Sequence, residues 1–216
     1  MPETTGKIDF LQLSAREFAD KTASADPVPG GGGAAAYAGA LGMGLVNMVS
    51  RLTVGKKKYA EVEDEVKALL AEGEEIRAAL LTAVQADADA FAPLAAAYAL
   101  PNTTDEEKAA KAAKLSELSR EAAELPLQAM VQAVDGLRIA RRIAECGSRL
   151  VISDAGCGAA LLLAAVKSLD FTARINLGAI LDEEYVQAAY QRLNELLKQA
   201  VRLEAEARQL ADERLL

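Results

Sequence analysis

The sequence predicts an all-α protein, a single multi-helix bundle domain with long amphipathic helices. Three observations carry this. The chain is 51% hydrophobic but only 4% aromatic, without tryptophan and rich in alanine, which suits helices packed through small side chains better than a sheet sandwich. Helix-start signals recur along the chain, and the apolar positions between them repeat at three and four residues. No convincing strand, internal repeat or dividing linker is present, so residues 1–216 read as one domain with ample material for a core.

The elements follow in order. Ser14-Ala-Arg-Glu17 is a capping box that opens a short helix over about 15–23, stopped by Pro27 and Pro29. After Gly30, Gly31, Gly32 and Gly33, the nearly all-apolar run 34–52 is a buried central helix in which Ala36, Ala40 and Gly44 permit close backbone approach. A membrane span is the rival reading, and the Ala/Gly content, Asn47 and Arg51 favour core. A long helix resumes near Glu61 and continues through Phe91 to Tyr98, with Pro93 a site for a kink. Thr104-Asp-Glu-Glu107 is a second capping box; the helix it starts has a charged face first and an apolar stripe beyond Pro126, ending near Cys146-Gly147. Ser153 is the expected N-cap of a further small-residue helix to about Leu169, and 182–216 is a long amphipathic helix.

Composition excludes several functions. A net charge of −8 argues against nucleic acid as the main partner. With no histidine in the chain, Ser-His and Cys-His nucleophile systems and most zinc sites are out, and proton transfer falls to Asp, Glu, Lys, Tyr or Cys. Cys146 and Cys157 have no metal-ligand spacing and read as buried thiols rather than a disulfide. The first nine residues show no secretory pattern, so a cytoplasmic protein is expected.

Four short stretches carry candidate chemistry, each with a plainer reading beside it. "PVPGGGG" lacks the strand and the lysine of a phosphate loop, leaving a structural turn or a ligand-facing helix N-terminus. Lys56, Lys57, Lys58 and Tyr59 form a compact basic cluster, either a solvated junction or an anion clamp with an aromatic edge. Asp87 and Phe91 share a helix face four residues apart in an apolar stretch; turned inward, Asp87 would gain a raised pKa suited to moving protons, and turned outward it would be a wet surface acid. Asp154 fits as a first-turn acid complementing the helix dipole.

Taken together, "PVPGGGGAAAYAGALG", "LTVGKKKY", "DADAF", "AYALPNTTDEEKAAK", "LPLQA", "ISDAG" and "ARINLGAI", in that order over about Phe18 to Tyr190, resemble the formimidoyltetrahydrofolate cyclodeaminase and methenyltetrahydrofolate cyclohydrolase family. The resemblance implies an all-helical homodimer and folate-dependent one-carbon chemistry. It matches Pro29, Gly30, Gly31 and Gly32 to a glycine-rich turn, Lys56, Lys57, Lys58 and Tyr59 to a basic loop, Asp87 and Phe91 to an Asp-xxx-Phe element, Ser153 and Asp154 to a Ser-Asp pair, and Asn176 to an Asn-Leu element. Gly33, Asn102 and Gln85 depart from the family's usual serine, lysine and acid, which puts direct contacts from those points in doubt.

A chain of 216 residues has no room for a fused formiminotransferase, which favours the cyclohydrolase, converting 5,10-methenyltetrahydrofolate and water to 10-formyltetrahydrofolate; the alternative is the cyclodeaminase, releasing ammonia. The expected roles are Asp87 as general base, a lysine of the basic loop such as Lys57, a tyrosine or Asp154 in proton delivery or pterin fixing, and the three lysines on the glutamate tail of a polyglutamated folate. No metal or other cofactor and no membrane are expected.

Overall fold

A computed structural model describes residues 8–215; Met1 to Lys7, on which the leaderless reading rests, and the last residue of the range 1–216 lie outside them. The described residues contain six α-helices and no strand: α1 (Ala15–Thr22), α2 (Gly31–Arg51), α3 (Glu63–Tyr98), α4 (Asp105–Cys146), α5 (Ile152–Leu177) and α6 (Glu183–Leu215). A short 3-10 turn at Phe10–Gln12 precedes α1, and others at Lys57–Val62 and Arg149–Val151 lead into α3 and α5.

Both capping boxes form. Ser14 Oγ accepts from the Glu17 amide and Thr104 Oγ1 from the Glu107 amide, while each glutamate accepts from the N-cap amide in return. Caps of this kind are worth about 1 kcal/mol, enough to set where a helix begins. Pro93 and Pro126 lie inside α3 and α4, so each helix continues through a proline that leaves one carbonyl of the preceding turn without its amide.

Two starts differ from expectation. Gly31, Gly32 and Gly33 are not a turn before α2 but its first turn, with Gly30 as the N-cap. Ser153 is not the N-cap of α5: the turn Arg149–Val151 runs straight into the helix, Val151 occupies the cap position, and Ser153 is exposed one residue inside. Cys157 is also exposed rather than buried, Cys146 is half-buried, and both are free thiols.

The core is a layered bundle. α2 packs between α3 and α5, α5 packs against α6, and α4 lies behind them, touching α3, α5 and α6. α2 and α5 cross closest at Gly42 and Gly158, not at Gly44: a Cβ on Gly42 would lie 2.8 Å from the Gly158 carbonyl oxygen, and one on Gly158 2.7 Å from that of Gly42. Only glycine allows that approach. Met43, Leu80, Met130, Leu137, Ile143, Leu162 and Leu193 belong to the main apolar core, all essentially without exposure. The α2 segment Gly31–Arg51 and the segment Arg149–Leu177 are each long and apolar enough to cross a membrane, but α2 is mostly buried within the bundle.

Candidate active site

The amino-terminal end of α2 has unpaired amides, as every helix start does, and its N-cap Gly30 supplies no side chain to accept from them. Asp87, from the middle of α3, fills that role: its Oδ2 accepts from the Gly33 amide at 2.8 Å. The glycines are what let it come so near. A Cβ on Gly32 would stand 2.1 Å from Asp87 Oδ1, whereas one on Gly31 would meet only Thr172 Oγ1 at an ordinary 3.7 Å. Pro29, buried after a cis Val28–Pro29 bond, completes the turn.

The carboxylate is half-buried beside a cavity of about 270 Å³ lined by Pro27, Val28, Gly30, Gly31, Gly32, Asp87, Phe91, Leu94, Tyr98, Ala122, Thr172, Ile175 and Asn176. Burial pushes the pKa of Asp87 above the ordinary aspartate value, and the Gly33 amide opposes that only in part. Phe91, on the same face of α3, is an apolar wall. Asn176 spends its amide nitrogen on the carbonyls of Ala122 at 3.0 Å and Thr172 at 3.1 Å, which fixes α5 against α4 at the cavity edge. A neighbouring groove shares Pro27 and Val28 and is lined also by Lys21, Asp26, Gln85 and Asp89, with Lys21 and Asp26 joined as an ion pair.

The basic loop is elsewhere. α2 has 21 residues, which at ~1.5 Å each separates its two ends by about 30 Å, and Lys56, Lys57, Lys58 and Tyr59 follow the far end. There Gly55 turns the chain with a positive φ of 77°, a conformation that favours glycine. Lys56 Nζ donates to Ser148 Oγ at 3.0 Å, and Tyr59 Oη accepts from the Arg149 amide at 2.9 Å, a bond that holds the phenol below its ordinary pKa. Lys56, Lys58, Tyr59, Arg149 and Arg214 line a shallow cavity with Leu150 and Leu215. Ser153 and Asp154 lie at this end too, in the first turn of α5.

Within one chain, then, Gly30, Gly31, Gly32, Asp87, Phe91 and Asn176 come together, with Pro29 beside them, and the lysines, Tyr59, Ser153 and Asp154 do not join them. Sequence reasoning missed Tyr98, Thr172 and Ile175 as cavity walls, and Ser148, Arg149 and Arg214 as the frame of the basic loop. Tyr98 and Ile175 lie inside two of the motifs quoted above, AYALPNTTDEEKAAK and ARINLGAI, but were not singled out, and Thr172 stands one residue before the second. Among the described residues no group of three or more Cys, Asp or Glu is placed to hold a metal ion.

An all-helical bundle whose half-buried carboxylate caps a glycine-rich helix start defines a class of site suited to proton transfer on a small substrate. The sequence places it further: residues 14–195 match the formiminotransferase-cyclodeaminase family, and the chain belongs to that family. It is 40% identical over 183 residues to a methenyltetrahydrofolate cyclohydrolase of Methylorubrum extorquens, covering 85% of this chain and 88% of that protein. It is 31% identical over 201 residues to the formimidoyltransferase-cyclodeaminase of Mus musculus, covering 93% of this chain but 37% of that longer protein. The crystal structure of formiminotetrahydrofolate cyclodeaminase from Thermotoga maritima superposes with a TM-score of 0.86 at 27% identity, over 96% of this chain and all of that one.

Proposed function

We propose that this protein is a methenyltetrahydrofolate cyclohydrolase, hydrolysing 5,10-methenyltetrahydrofolate to 10-formyltetrahydrofolate. The supporting observation is Asp87: a carboxylate of raised pKa, clasped to the first turn of α2, at the wall of an apolar cavity. The methenyl bridge is a cationic amidinium. An ionised Asp87 beside it stabilises the charge and takes a proton from the attacking water, a general-base contribution of roughly 10²–10⁴-fold. The C–N5 bond then breaks, N5 takes a proton, and the formyl group stays on N10; one water is consumed and one net proton released, so the balance calls for no metal or redox group. Asp154 and Lys57 are the proposed sources of the N5 proton or of pterin contacts. Phe91, Asn176 and Gly30 to Gly32 shape the pterin site, and Lys56 and Lys58 meet the carboxylates of a polyglutamate tail. The protein works as a cytoplasmic homodimer, without membrane or nucleic acid.

A second reading has its own support in the likeness to the Thermotoga maritima cyclodeaminase. In that reaction N10 attacks a protonated formimidoyl carbon and ammonia leaves, using one acid and one base of the same site. The purified protein decides between them. It should speed the loss of the near-ultraviolet absorbance of methenyltetrahydrofolate beyond the spontaneous rate and release no ammonia from formimidoyltetrahydrofolate; the opposite pair of results replaces the cyclohydrolase with the cyclodeaminase.

A further inference from the structure

α4 has a proline in its interior, in the stretch "LPLQA", and the proposed reaction gives it no part. Pro126 is buried and has no backbone N–H, so the carbonyl of Ala122, one turn before it, lacks the amide that would bond it within the helix. The proline ring also crowds that carbonyl outward. A buried carbonyl without a donor costs free energy comparable to a lost hydrogen bond, and Ala122 is itself buried. The missing donor comes from another helix: Asn176, near the end of α5, donates to the Ala122 carbonyl through Nδ2 at 3.0 Å. A gap made by proline in one helix is filled by a side chain of its neighbour.

That bond decides what Asn176 can offer. Nδ2 has two hydrogens, and the second goes to the carbonyl of Thr172 at 3.1 Å, one turn back in α5. The two acceptors are not equivalent. The Thr172 carbonyl is shared with the backbone amide four residues on, as in any helix turn, whereas the Ala122 carbonyl has no helical donor to share it with. With both hydrogens engaged on carbonyls the amide has one orientation, nitrogen towards them and oxygen away, so Oδ1 is left as an acceptor. Ala122, Thr172 and Asn176 all stand in the wall of the cavity lined by Asp87. The pterin of a reduced folate carries N–H donors on N3, N8 and its 2-amino group. A fixed acceptor matches them, whereas an amide free to turn over would as readily present its own donors.

We propose that Pro126 is a positioning residue for the active site: by withholding an amide from Ala122, it holds the Asn176 side chain with its oxygen presented to the pterin. The inference rests on the folate reading above and adds a residue of α4 that does not itself line the cavity. Alanine at 126 restores the amide, the Ala122 carbonyl returns to its own helix, and Asn176 keeps only the shared bond to Thr172. A change that improves the helix therefore loosens the site.

Pro126→Ala tests this. The variant should melt no lower than wild type, since proline is the poorest residue for a helix interior. Its KM for methenyltetrahydrofolate should rise by roughly three- to tenfold, the worth of one hydrogen bond, with kcat close to wild type. Made in an Asn176→Ala background, where the positioned group is gone, the same change should add nothing. A wild-type KM in Pro126→Ala overturns the proposal, and so does an equal loss with and without Asn176. If Pro126→Ala melts lower, Asn176→Asp decides instead. It keeps an acceptor but turns a second oxygen towards the two carbonyls, and should raise KM at least as far; a wild-type KM there overturns the proposal. A further readout needs no substrate. The chain has four asparagines, Asn47, Asn102, Asn176 and Asn194, so isotopic labelling of asparagine nitrogen gives four side-chain amide signals by NMR, assigned by substitution. The Asn176 amide should exchange its hydrogens with water about tenfold faster in Pro126→Ala than in wild type, one hydrogen bond being released. Pro93→Ala, which removes the proline inside α3, should leave that rate unmoved. Unchanged exchange in Pro126→Ala, or equal acceleration in both variants, overturns the proposal. If wild type shows no folate turnover at all, the folate reading falls while the exchange rates still decide whether Pro126 holds Asn176.

Discussion

The two ends of α2 solve opposite problems with opposite materials. At the start, glycines strip away side chains so that a carboxylate from α3 reaches backbone amides, and the group that matters is desolvated, held by a hydrogen bond, and shifted in pKa. Past the other end, cations project from a 3-10 turn into solvent, and what is held rigid is the backbone, through Tyr59 to the Arg149 amide and Lys56 to Ser148. Under the proposed function the first end carries the general base, and the second the cations that meet the carboxylates of the substrate. Electrostatics is the reason: a buried charge interacts strongly and costs much to place, while exposed charges are cheap to place and individually weak.

The largest effect should come from the first end. Asp87→Asn keeps an acceptor for the Gly33 amide but cannot take a proton, so turnover should fall by roughly 10²–10⁴-fold with folate binding largely kept. Stability should move the other way. The folded-state pKa of Asp87 lies above its unfolded value, so below the unfolded pKa the neutral acid costs nothing, and as pH rises through the folded pKa the buried charge lowers stability. Asn removes that penalty, and at neutral pH the variant should melt no lower than wild type. Turnover of the wild type should fall on the acid side at a pH above the ordinary aspartate range. A stopped-flow absorbance assay across pH, beside thermal melts, reads all three; wild-type rates in the variant would remove Asp87 from the reaction.

Next is a pair of neighbours one residue apart. Gly32→Ala puts a Cβ where Asp87 Oδ1 now lies, so the carboxylate must rotate off the Gly33 amide, and a displacement of ~1 Å at a reacting group costs about 10²-fold. Gly31→Ala meets only Thr172 Oγ1 at contact distance and should keep turnover close to wild type. Equal losses in the two variants would mean that the glycines serve chain flexibility rather than the approach of Asp87.

This contrast also explains what the sequence could and could not disclose. The capping boxes at Ser14 and Thr104 were legible because every participant lies within four residues. Asp87 and Phe91 on one face of α3 were legible for the same reason. The Gly33–Asp87 bond joins residues 54 apart, and no local pattern encodes it. The glycine run alone is therefore compatible with a turn or a helix start, and the packing of α3 across it decides between them. Ser153 misled because a good N-cap residue predicts a start only if the chain enters from an extended segment, and here Arg149–Val151 is already helical. Tyr98 and Ile175 lie within quoted motifs yet could not be told from their neighbours there, and Thr172 lies outside them, since a cavity wall is defined by what packs opposite it.

A smaller effect belongs to the basic end. Replacing Lys56 and Lys58, the two proposed tail contacts, by alanine should raise KM for a polyglutamated substrate by about fivefold, the sum of two exposed ion pairs at ~0.2–1 kcal/mol each, and much less for the monoglutamate. Raising salt should erase the difference between the two substrates in the wild type, because exposed pairs are screened. Equal losses on both substrates would assign these lysines to the pterin half of the site and weaken the contrast between the two ends.

The smallest expected effect comes from Tyr59→Phe, and it separates the two things the basic end does. The phenol oxygen accepts from the Arg149 amide, so its loss leaves that amide to water at a half-exposed position, for about 1 kcal/mol or less. The three ammonium groups stay on the chain, and Lys56 keeps its bond to Ser148. If the backbone anchor only narrows the positions the lysines sample, KM for the polyglutamated substrate should rise by about two- to fivefold with kcat unchanged, which matches a loss of that size. A fall in kcat instead would put the phenol against the reacting atoms, and the division of labour along α2 would have to be redrawn with an acid at each end.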